Sequence, residues 1–121
     1  MRILVVDDDE DAGIALAEVL ESFGHSSAIS RDGLSGVEKV ESWTPDLAFI
    51  DVGLPDIDGY EVARRIRQNP VCNSVKLIAL TGYGYDKDRA LALASGFDTH
   101  ILKPMGIEVL QKLLDNYDGG S

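Results

Sequence analysis

The chain has 121 residues, 45% hydrophobic and 26% charged, and a formal net charge of −10. That length suits one domain with one core, and the acid excess argues against nonspecific nucleic-acid or anionic-membrane binding, both of which need Lys and Arg. Cys72 is the only cysteine, so no intramolecular disulfide forms, which fits a reducing, cytoplasmic setting.

Met1 and Arg2 lead directly into Ile3-Leu4-Val5-Val6, too short for a membrane span and unlike a signal peptide. This run reads as a buried strand ending in Asp7-Asp8-Asp9-Glu10-Asp11. Ala12, Leu16, Val19, Leu20 and Phe23 follow at helical spacing, with Gly24 as the stop. Ser26 to Ser30 is a weaker strand. Leu34, Val37 and Val40 mark a short second helix, closed by Thr44-Pro45-Asp46. Leu47 to Ile50 form a third, wholly apolar strand that delivers Asp51, followed by a loop with Gly53, Pro55 and Gly59. Val62, Ala63 and Ile66 give a helical face, with Arg64, Arg65 and Arg67 on the wet side and Asn69-Pro70 as the stop. Cys72 reads as a small half-buried loop residue. Lys76 to Leu80 form a fourth strand ending at Thr81, and Gly82 and Gly84 make the next loop pliable. Ala90, Leu93 and Ala94 suggest a fourth helix stopped by Gly96. His100 to Leu102 form a fifth strand ending at Lys103-Pro104. Ile107, Leu110, Leu113, Leu114 and Tyr117 mark a last amphipathic helix. The domain is expected to occupy residues 1–118, with 119–121 as a flexible tail or an expression scar.

This βα alternation predicts a parallel sheet with helices on both faces. The ends of its parallel strands share one edge, so Asp7, Asp8, Asp51, Thr81 and Lys103 are expected to converge there. Clustered carboxylates repel: at an effective dielectric near 20, a like pair about 4 Å apart costs roughly 4 kcal/mol. A divalent cation relieves that, and oxygen-only ligands favour Mg2+. Asp51 then combines the roles of ligand and nucleophile toward phosphorus, with Thr81 and Lys103 neutralising phosphoryl oxygens. Asp9, Glu10 and Asp11 read instead as helix-start residues. Taken singly, Thr81 is an ordinary turn residue and Lys103 a solvated charge; it is their joint placement at strand ends that is specific.

Over nearly its whole length the sequence resembles the receiver domains (CheY-like) of bacterial two-component response regulators. The matching motifs are Ile3 to Asp9, Pro45-Asp46-Leu47 through Asp51, Leu54-Pro55-Asp56-Ile57-Asp58-Gly59, Thr81-Gly82 and Lys103-Pro104. The resemblance implies a flavodoxin-like (βα)5 three-layer sandwich with a parallel five-stranded sheet in the order 2-1-3-4-5. It also implies that Asp51 accepts a phosphoryl group from a histidine kinase or histidine phosphotransfer protein. Asp8 and Asp51 would hold Mg2+ through their carboxylates and Gly53 through its backbone carbonyl, with Asp7 acting through a metal-bound water. Thr81 and Lys103 would hold phosphoryl oxygens, and the Lys103-Pro104 bond would be cis. Two positions depart from the pattern. His100 stands where the family often has a switching Tyr or Phe; this histidine and Thr81-Gly82-Tyr83-Gly84 are similar to receivers fused to hybrid sensor kinases. Its bland alternative is a partly buried histidine with no switching role. Gly106 stands where an acid often follows the lysine-proline pair.

The expected function is a phosphorylatable signalling switch rather than a turnover enzyme, with phosphorylation drawing in Thr81 and shifting the face of the fourth helix, fifth strand and fifth helix. The alternative is an aspartate-nucleophile phosphohydrolase with Asp7 attacking and Asp9 as acid/base, against which stands the lack of room for a substrate-selecting cap. A third reading, a pseudo-receiver, conflicts with the intact Asp8, Asp51, Thr81 and Lys103 set. Only Gly119-Gly120-Ser121 follow the last helix, so either a single-domain regulator or a piece of a larger protein is expected.

Overall fold

The computed structural model of the protein describes residues 1–82, 85–103 and 105–118. Expectations for Gly84, for the Tyr83-Gly84 part of the hybrid-kinase motif, for the Lys103-Pro104 bond and for residues 119–121 lie outside them.

Five strands, β1 (Arg2–Val6), β2 (Ser26–Ser30), β3 (Leu47–Asp51), β4 (Lys76–Thr81) and β5 (Thr99–Leu102), alternate with five helices. These are α1 (Glu10–Ser22), α2 (Gly33–Trp43), α3 (Gly59–Arg67), α4 (Tyr85–Ser95) and α5 (Ile107–Asp118). A 3-10 turn, Pro70–Cys72, follows α3 and carries a fully buried Cys72 rather than a half-buried one. All strand pairs are parallel, in the order β2-β1-β3-β4-β5. No helix among the described residues is long and apolar enough to cross a membrane.

Both faces of the sheet are covered, which is why β1 and β3 read as unbroken apolar runs. Strand alternation splits their side chains between two layers. Leu4, Val6, Ala48, Ile50, Leu77 and Ala79 pack with Val40, Val62, Ala63, Ile66, Ala92 and Phe97 from α2, α3, α4 and the turn after α4. Ile3, Val5, Leu47, Phe49, Ile78, Leu80 and Ile101 pack with Leu20 of α1 and with Leu110 and Leu114 of α5. The outer strands β2 and β5 are only partly covered, hence their weaker apolar signal.

Helix ends follow local chemistry. Asp9, Asp32 and Asp58 cap α1, α2 and α3 by accepting from the N–H groups of Ala12, Ser35 and Glu61. At the end of α1, Gly24 (φ 93°) lets its own N–H reach Glu21 O at 2.9 Å and that of His25 reach Leu20 O at 3.1 Å. That left-handed residue turns the chain so that the last carbonyls of α1 gain these donors beside the shared Phe23 N–H.

Several helix faces differ from the sequence expectation, and on α1, α2 and α4 small residues share the contact with the sheet. Gly13 and Ala17 are buried on α1 while Ala12 is exposed. On α2, Gly36 lies so near Val6 that a Cβ would stand 3.0 Å from its methyl carbons, and Leu34 points outward. On α4, Ala92 and Ser95 face inward, and Ala90, Leu93 and Ala94 face out. Ile107 of α5 is likewise exposed.

Arg67 also departs from expectation, since it is tucked in rather than solvated. Its guanidinium donates to Gly96 O (2.9 Å), Val75 O (2.8 Å), Cys72 O (3.3 Å) and Asp98 Oδ2 (2.8 Å), joining the end of α3 to the segment before β4 and to the one between α4 and β5. A side chain at Gly96 would meet Arg67 Cγ at 2.5 Å.

Candidate functional site

From β1 the chain proceeds outward to β2 in one direction and to β3 in the other, so the strand order reverses between β1 and β3. In an open α/β sheet the carboxyl ends of the strands flanking such a point form the binding crevice. Asp7 and Asp51 end those two strands. Alternation continues the series Ile3, Val5, Asp7 and Leu47, Phe49, Asp51, and on β5 Ile101 leads to Lys103, so all three side chains belong to the α1/α5 side of the sheet.

Lys103 Nζ donates to Asp7 Oδ2 at 2.9 Å and to Asp51 Oδ2 at 2.7 Å. The other oxygen of each carboxylate is held by its own loop. Asp7 Oδ1 accepts from the Asp9 N–H at 3.0 Å, and Asp51 Oδ1 from the Gly53 N–H at 2.8 Å. Each carboxylate is thereby fixed in rotation, one oxygen toward backbone and one toward the ammonium. Asp8 is exposed beside them, and one carboxylate oxygen from each of Asp7, Asp8 and Asp51 lies within 4.8 Å of the others.

Burial pushes the Asp7 carboxyl above the usual carboxylate range, and hydrogen bonds from Lys103 and the Asp9 N–H offset this only in part. For Lys103, burial acts downward on the ammonium, but the hydrogen bonds to Asp51 and Asp7 outweigh it and hold the group above its ordinary value. The donor set fits Mg2+: three hard carboxylates, two of them open to solvent to different degrees, leave room for the waters this ion retains.

Thr81 and His100 belong to the opposite side of the sheet by the same alternation. Thr81 is buried, and its hydroxyl donates to Ile101 O at 3.4 Å. Its own carbonyl accepts from the Lys103 N–H at 2.8 Å, tying β4 to the lysine's backbone. His100 is half-buried, paired across the ladder with Ala79. Gly53 is exposed, and a Cβ there would sit 3.6 Å from Asp51 Oδ1, shading that oxygen. Asp9 serves as the α1 cap, its Oδ1 accepting from Ala12 N at 3.2 Å.

Asp56 has a place in the site that its sequence neighbourhood does not announce. Both oxygens of this carboxylate accept backbone N–H groups at the start of α2, from Gly33 at 2.8 Å and Leu34 at 2.9 Å. Burial acts upward on this carboxyl, but the backbone N–H bonds together outweigh it and lower its pKa to about 2. No local signal marks such a contact, because the partners are more than twenty positions apart.

The site is thus an acidic, oxygen-only pocket served by one ammonium, at the switch point of a flavodoxin-like sheet. The chain belongs to the response regulator receiver domain family, which matches residues 3–115. It is 36% identical over 117 residues to an uncharacterised 14.6 kDa protein of Leptolyngbya boryana, covering 97% of this chain and 89% of that one. It is 37% identical to the transcriptional regulatory protein AfsQ1 of Streptomyces coelicolor, covering 89% of this chain but only 47% of that protein. Among solved structures, the receiver domain of the sensor histidine kinase PA1611 from Pseudomonas aeruginosa superimposes with a TM-score of 0.89 at 30% identity, covering 98% of this chain and 97% of that one. That structure has a magnesium ion coordinated in its active-site cleft. Receiver domains of this family are signalling switches of two-component systems, not turnover enzymes.

Proposed function

We propose that this chain is a phosphorylatable switch in which Asp51 accepts a phosphoryl group from the phosphohistidine of a histidine kinase or histidine phosphotransfer protein. The observation that carries the reading is Lys103 Nζ lying 2.9 and 2.7 Å from Asp7 and Asp51, inside the same acid cluster as Asp8. Asp51 is the half of that arrangement with a partly open side chain, 17% exposed against 3% for Asp7.

In the transfer, an Asp51 carboxylate oxygen forms a bond to phosphorus while the bond from phosphorus to the donor imidazole nitrogen breaks. The electron pair of that bond stays with the departing imidazole. The Gly53 N–H keeps Asp51 Oδ1 in place, and Lys103 is already within reach of the oxygens whose charge must be balanced. Mg2+, when bound, supplies positive charge to the phosphoryl oxygens and to the acid cluster. Asp8, Asp51 and the Gly53 carbonyl would hold it, with Asp7 acting through a water. The Thr81 hydroxyl, released from Ile101 O, would take another phosphoryl oxygen.

Movement at Thr81 reaches the surface built from α4, β5 and α5. Leu91 and Leu93 of α4, Leu102 of β5, and Ile107 and Val109 of α5 are each exposed, so these elements offer apolar side chains to a partner whose affinity the switch changes. The family relationship and the single cysteine suit a cytoplasmic setting. The test is exposure to acetyl phosphate with Mg2+. A base- and hydroxylamine-labile adduct should form on the wild type and be absent from Asp51→Asn, while an adduct that persists in that variant refutes the assignment.

A further inference from the structure

The loop from β3 to α3 carries Gly53 and is tied down at both ends. Its start is held by the Gly53 N–H on Asp51 Oδ1. Its end is held where the Gly59 N–H donates to Val52 O at 3.0 Å, with Gly59 so near Asp51 O that a Cβ would stand 2.5 Å from it. Between these ends Asp56 reaches across to α2 and takes the N–H groups of its first two residues. The helix has its own cap, Asp32, which accepts from Ser35 at 2.8 Å. What Asp56 adds, and Asp32 lacks, is a connection from α2 to the loop.

The approach is close by construction. A Cβ on Gly33 would stand 2.5 Å from Ile57 Cγ1 and 2.9 Å from Ile57 O, so only glycine lets the loop settle on the helix start. The same helix rests on β1 through Gly36 against Val6, the residue before Asp7. Asp56, α2 and Val6 therefore form one packed path from the Gly53 loop to the strand that presents Asp7.

We propose that Asp56 is a positioning residue of the phosphoacceptor site, setting the Gly53 loop against the β1 carboxylates so that their oxygens form one cation-binding frame. This rests on the reading of Asp51 and Gly53 given above. Partners that orient metal-binding groups typically change affinity by 10–100-fold when removed, and for a loop anchor the low end, about tenfold, is expected.

The experiment is calorimetric titration of the full chain with Mg2+ alone, without phosphodonor. Asp56→Ala should bind Mg2+ about tenfold more weakly than the wild type. Gly33→Ala, which pushes on Ile57 from the other side, should weaken binding in the same direction. Asp56→Asn, keeping one acceptor oxygen, should recover part of the affinity. Asp32→Ala removes a cap from the same helix without touching the loop, so it should lower thermal stability and leave Mg2+ affinity at the wild-type value. Wild-type affinity in Asp56→Ala, or equal weakening in Asp32→Ala, overturns the proposal. If the wild type binds Mg2+ and its acetyl phosphate adduct depends on Asp51, that failure belongs to Asp56 alone. If the wild type binds no Mg2+, or its adduct survives in Asp51→Asn, the phosphoacceptor reading fails and this proposal falls with it.

Discussion

Replacing Lys103 by methionine keeps most of the side-chain volume and removes the charge between two carboxylates. The ammonium lies 2.7 and 2.9 Å from Asp51 and Asp7; at an effective dielectric near 20 each contact amounts to roughly 6 kcal/mol of attraction. Carboxylate oxygens within 4.8 Å of one another repel by at least roughly 3.5 kcal/mol per pair at the same dielectric. The gross attraction overstates the net loss, because the half-buried lysine's own desolvation cost disappears with it. Breaking a buried pair typically costs about 3–5 kcal/mol, and a lysine side chain 32% exposed belongs near about 3. An unfolding entropy of about 2.1 cal/mol/K per residue gives 121 residues about 0.25 kcal/mol/K, so the melting temperature should fall by about 12 °C. The assay is urea unfolding of wild type and Lys103→Met with a chelator and again with saturating Mg2+. The variant should lose about 3 kcal/mol in chelator and recover most of it with Mg2+, because the divalent cation takes over the balancing of the acids. The deficit should also shrink in acid. Asp7 already has a raised folded-state pKa from burial, and losing Lys103 raises it further. The folded variant then takes up protons before the unfolded chain does, so the penalty is full above the raised value and fades toward the ordinary carboxylate range. Equal losses with and without Mg2+, or none in chelator, refute the reasoning that this ammonium holds the acid cluster together.

Two further outcomes follow from contacts outside the cluster. Arg67→Ala takes a donor from the carbonyls of Gly96 and Val75 and leaves Cys72 O only the Val75 N–H, so a loss of about 3 kcal/mol in urea unfolding is expected, against less than about 1 for Arg65→Ala, whose side chain pairs with Glu61 at the surface; similar small losses would show that Arg67 does not brace α3 against the segments before β4 and after α4. Asp56, with a folded-state pKa of about 2, contributes stability that is full above the ordinary carboxylate range and is lost as pH falls toward 2; the stability gap between wild type and Asp56→Asn should narrow over that window, and a gap independent of pH would show that the charge on Asp56 does not matter to its helix contact.

The strands, their order along the chain and the acids at their ends were legible in the sequence. A strand covered on both faces must be apolar throughout, and an acid directly after such a run lies at the sheet edge where water begins. Leu47 to Ile50 followed by Asp51 shows both halves of that rule, as Ile3 to Val6 followed by Asp7 does. The helix faces were less legible because periodicity counts large apolar residues. Where α2 comes close to β1 the contact is made by Gly36, and Leu34 is left in solvent.

Chain order and apolar pattern are enough to say which residues end at the acidic edge of the sheet, since they dictate parallel strands that all finish there. How those residues stand against one another depends on contacts made in the assembled fold. Strand parity placed Asp7, Asp51 and Lys103 on one side of the sheet and Thr81 on the other. Contacts between segments far apart in the chain drew Arg67 inward and joined Asp56 to the start of α2. An arginine or an aspartate in a polar stretch has no local preference between solvent and a distant carbonyl or N–H. That choice is made by whichever backbone groups the assembled fold leaves unpaired within its reach.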